Sequence, residues 1–249
     1  MIDALFTIEG KVALVTGGTT GIGRMIAAGF ARRGAKTYIT GRDAARTAEA
    51  AAEIDCIGLA ADLETEDGAH ALARAFAAVE PRLDILVNNA GVGEVPSIAD
   101  ATIAGWDRVM DVNLRSAFFL VQQLLPQLRA SDGARIINIG SIGGLHIPNW
   151  EAYSYGVSKA ALHHLTRALA KRLGKEGIGV NAIAPGPFPS KMHDTSSEAT
   201  QRSIATYIPL GRAGTAEDME GLAVFLASRA GAYVNGTTIP LDGGYIAAL

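Results

Sequence analysis

Short apolar runs alternate along the whole chain with longer stretches in which apolar residues recur every third or fourth position. The runs over 12–16, 37–40, 56–60, 83–87, 135–139, 179–184 and 237–241 read as strands. The stretches over 22–33, 69–79, 105–129, 155–173 and 216–228 read as helices. Several strands are almost continuously hydrophobic, the signature of a parallel sheet covered by helices on both faces. Strict strand–helix alternation implies βαβ units with right-handed crossovers. No linker rich in Pro or Ser divides the chain and no internal repeat is visible. The expectation is one α/β domain over 1–249, doubly wound on a seven-stranded parallel sheet. Its cofactor-binding half covers about 1–140, and its substrate-binding and catalytic half about 141–249.

One segment breaks the rhythm. Residues 186–214 separate a strand from the next clear helix, longer than ordinary connections and typical of a lid or binding loop. Prolines at 185, 187 and 189 stiffen its base. Its apolar residues Phe188, Met192, Ile204, Tyr207 and Ile208 either cover a hydrophobic ligand or pack on the core as a satellite cluster.

Composition narrows the class. Of 249 residues, 49% are apolar, enough for a sizeable core, and the 29 glycines suit many tight strand-to-helix turns. The net charge of −3 and the lack of a long basic run exclude nucleic acid as an expected partner. The single cysteine, Cys56, excludes an internal disulfide and a cysteine metal cluster, so no metal is expected; a buried structural thiol is the expectation. The start, Met1-Ile2-Asp3-Ala4-Leu5-Phe6, lacks the charged and apolar regions of a signal peptide, and no apolar stretch has a membrane helix's length. A soluble, cytoplasmic protein without membrane contact is expected.

Thr16-Gly17-Gly18-Thr19-Thr20-Gly21-Ile22-Gly23 lies between the first strand and the first helix. Gly17, Gly21 and Gly23 allow a tight turn and close approach of the backbone to a ligand. The helix N-terminus then offers N–H groups and positive charge to a pyrophosphate, as in a Rossmann-type fold, with the spacing G-x-x-x-G-x-G in place of G-x-G-x-x-G; a glycine turn that only packs the helix against the strand is the alternative. The second strand ends in Gly41, without the acidic residue that reads the NAD ribose, and Arg42 follows. A guanidinium there suits the 2′-phosphate of NADP(H), with NAD(H) the lesser alternative. Asp43 either pairs with Arg42 or caps a helix. Asp62, beside Leu63 at the third strand's tip, either bonds the adenine amino group or caps a turn. Asn88-Asn89-Ala90-Gly91 ends the fourth strand, where small residues admit a ribose and the Asn side chains tie strands together.

Tyr155 and Lys159, at i and i+4, share one face of a helix. Tyrosine has a reference pKa near ~10, and a nearby ammonium and a positive nicotinamide ring both favour its phenolate. The phenol can then give a proton to a carbonyl oxygen as hydride arrives at carbon. Ser141, after the fifth strand, can bond the same oxygen. Tyr153 is the competing phenol, but Val157 stands where its lysine would be.

These motifs resemble the short-chain dehydrogenase/reductase family over essentially the whole chain. The resemblance rests on Thr16-Gly17 to Gly23, Asp62, Asn88-Asn89-Ala90-Gly91, Asn113, Ser141, Tyr155/Lys159, Pro185-Gly186 and Asp242-Gly243-Gly244. It implies a tetrad of Asn113, Ser141, Tyr155 and Lys159, in which Asn113 holds a water that links Lys159 to bulk solvent as a proton relay. It also implies that Lys159 binds the nicotinamide ribose, that the segment from Pro185 and Gly186 through Phe188 and Ser190 contacts the carboxamide, and that the protein is a homotetramer. Within the family, 135–141, 152–156 and 184–190 are similar to NADPH-dependent β-ketoacyl reductases. Three positions depart from the family: the Ser141–Tyr155 interval is one residue longer than usual, Ser190 replaces a Thr, and Thr20 replaces a base. Readout of NADP therefore rests on Arg42.

The substrate wall is expected from 145–151, 89–95 and the long segment, with Trp150, Phe188 and Met192 as contacts and Leu145, Ile147 and Pro148 nearby. No Arg or Lys falls between 142 and 158, which disfavours a carboxylate held by a fixed cation and, with the apolar lining, a sugar. A β-ketoacyl thioester or bulky hydrophobic ketone fits better. Arg129, Lys171, Arg172 and Lys175 are either contacts for an acidic acyl carrier or solvated helix ends. The alternatives are a polyol or sugar dehydrogenase of the same family and a non-catalytic dinucleotide sensor, which would not need the Tyr/Lys pair.

Overall fold

The computed structural model describes residues 4–147, 151–190, 195 and 197–248. Seven strands form one parallel sheet: β1 (Val12–Val15), β2 (Lys36–Gly41), β3 (Ile57–Ala60), β4 (Ile85–Asn88), β5 (Arg135–Ile139), β6 (Gly179–Pro185) and β7 (Thr238–Leu241). Their order is β3-β2-β1-β4-β5-β6-β7, so the chain reverses direction across the sheet between β1 and β4. A crevice at such a reversal, beyond the carboxyl ends of the strands, is where ligands bind in open α/β sheets.

Strand periodicity divides the core. Ala13 and Val15 face a cluster completed by Ile26, Ala27 and Phe30 of α1 (Gly21–Ala31) and by Met219, Ala223 and Val224 of α9 (Ala216–Ala227). Val12 and Leu14 face the other cluster, with Leu72 and Phe76 of α3 (Gly68–Ala77), Leu120 of α5 (Ser116–Gln123) and Leu173 of α7 (Tyr153–Leu173). Every residue of β1 and β4 is buried, which explains their continuous hydrophobicity. β3 is the exposed edge, with Ile57 41% exposed. Cys56, expected to be buried, is half-buried before that strand, and burial still pushes its thiol up to about 11.

Three helical features differ from the pattern. Helix α2 (Ala44–Ala52) has no large apolar stripe, because its buried face is Thr47, Ala50 and Ala51. The stretch read as one helix over 105–129 divides into α4 (Ile103–Met110), a π turn (Asp111–Arg115), α5 and α6 (Leu125–Arg129), with Pro126 at the start of α6. Within the long segment 186–214, residues Glu198–Tyr207 form α8, capped by Ser197, so part of it is regular structure.

Candidate active site

The turn between β1 and α1 is packed so closely that side chains are excluded. Gly17 has φ +64°, and a Cβ there would lie 3.0 Å from Ala90 Cα; a Cβ on Gly23 would come within 2.4 Å of Asn89 Nδ2. Asn89 Nδ2 donates to the carbonyls of Thr16 (2.9 Å) and Gly17 (3.1 Å). Thr16 Oγ1 in return accepts from the N–H groups of Asn89 (2.9 Å) and Ala90 (3.0 Å). The side chain of Asn89 therefore clamps the glycine turn. Thr20 occupies the N-cap of α1 without a side-chain capping bond, leaving the first-turn N–H groups to a ligand. Ile22 packs against the core, and Ser190 lies over the turn, 3.3 Å from where a Gly21 Cβ would stand.

At the tip of β2 a Cβ on Gly41 would meet Thr47 Oγ1 at 2.5 Å and Thr19 Cγ2 at 2.8 Å. No acidic side chain fits there. Asp43 accepts from Arg46 N at 2.9 Å as the N-cap of α2, so it is turned away from Arg42. Arg42 instead lies 3.4 Å from Glu64 with its side chain 63% exposed. Glu64 is held more closely by Arg108 at 2.9 Å. Asp62 accepts from Glu64 N at 3.1 Å in a turn, and the Leu63 side chain is buried in the core.

The catalytic candidates meet where β4 and β5 end beside α7. Lys159 Nζ donates to the Ile139 carbonyl at 2.8 Å and stands 5.7 Å from the centre of the Tyr155 ring. Burial lowers its pKa from 10.5 to about 8. For Tyr155 burial raises the pKa, while a hydrogen bond with Ser141 pulls it down. Lys159, expected together with a nicotinamide ring to favour the phenolate, is directed to the Ile139 carbonyl. Ser141 Oγ also accepts from Gly143 N at 3.0 Å. A Cβ on Gly91 would lie 3.3 Å from Asn113 Oδ1 and 3.4 Å from Lys159 Nζ, so glycine keeps the approach to the ammonium open. Tyr153 points outward and donates to Glu151 at 3.1 Å.

Asn113 sits in the π turn, a distortion common at functional sites. Its Oδ1 accepts from Val92 N (2.8 Å), and its Nδ2 donates to Val92 O (2.9 Å) and Ser158 Oγ (3.0 Å). The carboxamide is thus engaged in holding the segment that follows Gly91 against α7. Ser158 and His163 were not singled out by the sequence reading. Their only signal is that polar residues (154, 158, 159, 163 and 166) recur on the buried face of α7.

The substrate side needs one correction. Phe188, expected to face substrate, is 3% exposed in the core, and its ring lies within 2.2 Å of where a Gly214 Cβ would stand. It is a packing residue. Trp150, Met192 and Pro148 lie outside the described residues. Leu145 and Ile147 are 43% and 91% exposed beyond Ser141, and the His146 ring rests 5.2 Å from that of Tyr245. Pro185 ends β6, and Gly186 N donates to Leu241 O at 3.0 Å where any Cβ would collide with Asp242. Arg129 and Arg172 both pair with Glu176, at 2.7 and 2.6 Å, at the far end of α7 from Tyr155. Among the described residues no group of His, Cys, Asp or Glu is arranged to hold a metal ion, and no helix is long and apolar enough to cross a membrane.

Comparison with known proteins gives a consistent picture. A family model described as enoyl-(acyl carrier protein) reductase matches residues 17–246. The rhamnolipids biosynthesis 3-oxoacyl-[acyl-carrier-protein] reductase of Pseudomonas aeruginosa is 47% identical, covering 96% of this chain and 98% of that protein. A 2-dehydro-3-deoxy-D-gluconate 5-dehydrogenase of Dickeya dadantii is 39% identical, covering 99% of this chain and all (100%) of that protein. The solved Pseudomonas aeruginosa RhlG/NADP active-site complex superposes with a TM-score of 0.94 at 46% identity, covering 98% of this chain and 99% of that one. With this match along its whole length, on a sheet of this order and with Tyr155 and Lys159 in place, the chain belongs to the short-chain dehydrogenase/reductase family, oxidoreductases acting on CH–OH and C=O groups.

Proposed function

We propose that this protein reduces a ketone to a secondary alcohol with NADPH, Tyr155 giving the proton, and that the ketone is a β-ketoacyl thioester or another bulky hydrophobic ketone. The observation that carries the reading is the meeting of Ser141, Tyr155 and Lys159 beside a glycine-lined crevice at the carboxyl edge of the sheet. The residues present fit the dinucleotide. The uncapped start of α1 and its glycine-rich turn suit a pyrophosphate, and Gly91 beside Lys159 suits a ribose. Gly41 excludes a carboxylate while exposed Arg42 offers a forked donor to the 2′-phosphate. A relative solved with NADP supports the same choice.

When bound, NADPH supplies the hydride. Ser141 holds the carbonyl oxygen and Tyr155 protonates it. Burial keeps the phenol protonated, so it is an acid at neutral pH. Lys159, anchored on Ile139, binds the ribose and restores the proton on Tyr155, and is itself reprotonated from bulk solvent through a water held by the main chain of Asn113.

Apolar Leu145 and Ile147 beyond Ser141, without a lysine or arginine between 142 and 158, favour the hydrophobic ketone. Arg129, Lys171, Arg172 and Lys175 are the candidate contacts for an acidic acyl carrier, Arg129 and Arg172 being also paired with Glu176. Similarity to gluconate 5-dehydrogenases supports the rival reading, a sugar substrate. The chain works as a cytoplasmic homotetramer, and the open groove of about 420 Å³ between the π turn, Phe118 and the Ala161–Leu165 side of α7 is the surface a second copy covers. The test is NADPH oxidation with β-ketoacyl thioesters, aryl ketones and keto sugars, alongside the mass by light scattering. Turnover fastest on hydrophobic ketones supports the reading; turnover fastest on a sugar overturns the substrate choice, and a monomer overturns the assembly.

A further inference from the structure

Three consecutive residues at the end of β5 meet three residues spaced one helical turn apart on α7. Ile139 accepts from Lys159 at 2.8 Å, and Ser141 bonds Tyr155. The residue between them, Gly140, faces His163. A Cβ on Gly140 would lie 2.0 Å from His163 Nε2 and 2.6 Å from its Cδ2, so the ring occupies the space a side chain there would need. The same ring reaches the other end of the loop, since a Cβ on Gly144 would lie 2.9 Å from His163 Cε1. His163 is 3% exposed, and among the described residues neither ring nitrogen has a hydrogen-bond partner of good geometry, the Gly144 backbone acting on the ring only weakly. A buried, unsatisfied imidazole is costly and calls for an explanation beyond filling the core.

We propose that His163 is a positioning residue, a wedge beneath Gly140 and Gly144 that sets the height of the Ser141 loop and so the Ser141–Tyr155 hydrogen bond. On this side Gly140 N donates to Ile183 O, and Gly144 also abuts the α7 main chain, where a Cβ would lie 2.7 Å from Ala160 N and from Lys159 C; Gly143 N to Ser141 Oγ and Gly144 N to Ser141 O are bonds internal to the loop. Pressing glycine against an imidazole from α7 ties the loop to the helix that carries Tyr155 and Lys159. Burial, followed by the Lys159 charge, lowers the His163 pKa to about 4, while the Gly144 backbone and Arg167 act more weakly in opposite directions. The wedge is therefore neutral wherever Tyr155 works, and adds no charge beside Lys159.

The inference rests on the role proposed for Ser141 and Tyr155, and the experiment separates the two. Steady-state kinetics and NADPH binding are measured for His163→Ala, Gly140→Ala, Ser141→Ala and the double variants. His163→Ala is expected to lose ~10- to ~100-fold in kcat, as a small misplacement of a reacting group does, with the NADPH dissociation constant nearly unchanged. Its pH profile should shift too, because Tyr155 loses the group that lowers its pKa: the alkaline limb of kcat moves up. Gly140→Ala, which crowds the ring without hollowing the core, should show the same signature, and adding His163→Ala to it should restore part of the activity. Adding His163→Ala to Ser141→Ala should cost little more than Ser141→Ala alone. Unchanged kcat and pH limb in both Gly140→Ala and whichever His163 variant folds, or losses that add fully to Ser141→Ala, overturn the proposal. Near-normal turnover by Ser141→Ala instead overturns the underlying role of Ser141, and the wedge falls with it.

Discussion

The ammonium of Lys159 is bonded to the carbonyl oxygen of Ile139, 2.8 Å away, and is 4% exposed as a residue. One strand end and one helix turn thereby hold a positive charge with no carboxylate partner among the described residues, and burial brings its pKa down to about 8.

That shift makes stability depend on pH in a definite direction. Below pH about 8 Lys159 is charged in both the folded and the unfolded chain, and the burial cost is fully present. Between about 8 and 10.5 the folded state binds fewer protons than the unfolded state, so this group makes stability rise with pH. Urea unfolding of the protein without cofactor is expected to show the stability difference between the native protein and Lys159→Met moving in favour of the native protein across that window. A flat difference, or one that moves the other way, contradicts the burial account.

Arg42 is exposed and only weakly engaged by Glu64, so it is available to a phosphate. Charge-assisted bonds are worth roughly 1.5–3 kcal/mol, so Arg42→Ala should raise the Michaelis constant for NADPH by ~10- to ~100-fold. The constant for NADH should change little. Equal losses with the two cofactors would place the effect of Arg42 on the fold and not on the 2′-phosphate.

Asn89 satisfies two carbonyls of the glycine turn with one nitrogen. Asn89→Ala should destabilise the protein by about 1–3 kcal/mol, the cost of leaving buried acceptors unpaired, and weaken NADPH binding as the turn loosens. Unaltered thermal midpoint and affinity would show the clamp to be dispensable.

How legible the molecule was depends on the range of the contacts involved. The seven strands and their parallel arrangement were readable because burial on both faces leaves near-continuous apolar runs. Helix α2 was not, since Thr47, Ala50 and Ala51 are too small to form a visible stripe. The break in the helix expected over 105–129 was hidden for another reason: the π turn is coupled to Asn113 bonding Val92, 21 residues earlier. Tyr155 and Lys159 stood out because their partnership is local. The burial of Phe188 against Gly214 did not, because nothing near Phe188 in the chain distinguishes a packing ring from a substrate wall. The choice left open for Asp43 was decided by Arg46, whose N–H it caps.

The central claim is that Tyr155 is the proton donor in an NADPH-dependent carbonyl reduction, and one measurement reaches it directly: single-turnover NADPH oxidation by Tyr155→Phe beside the native protein, with cofactor affinity determined on the same samples. The substitution keeps the ring and removes the proton. The account predicts NADPH binding within about twofold of native and a chemical step slower by ~10²- to ~10⁴-fold, the usual worth of a positioned acid. A Tyr155→Phe protein that binds NADPH and turns over at near the native rate would contradict it.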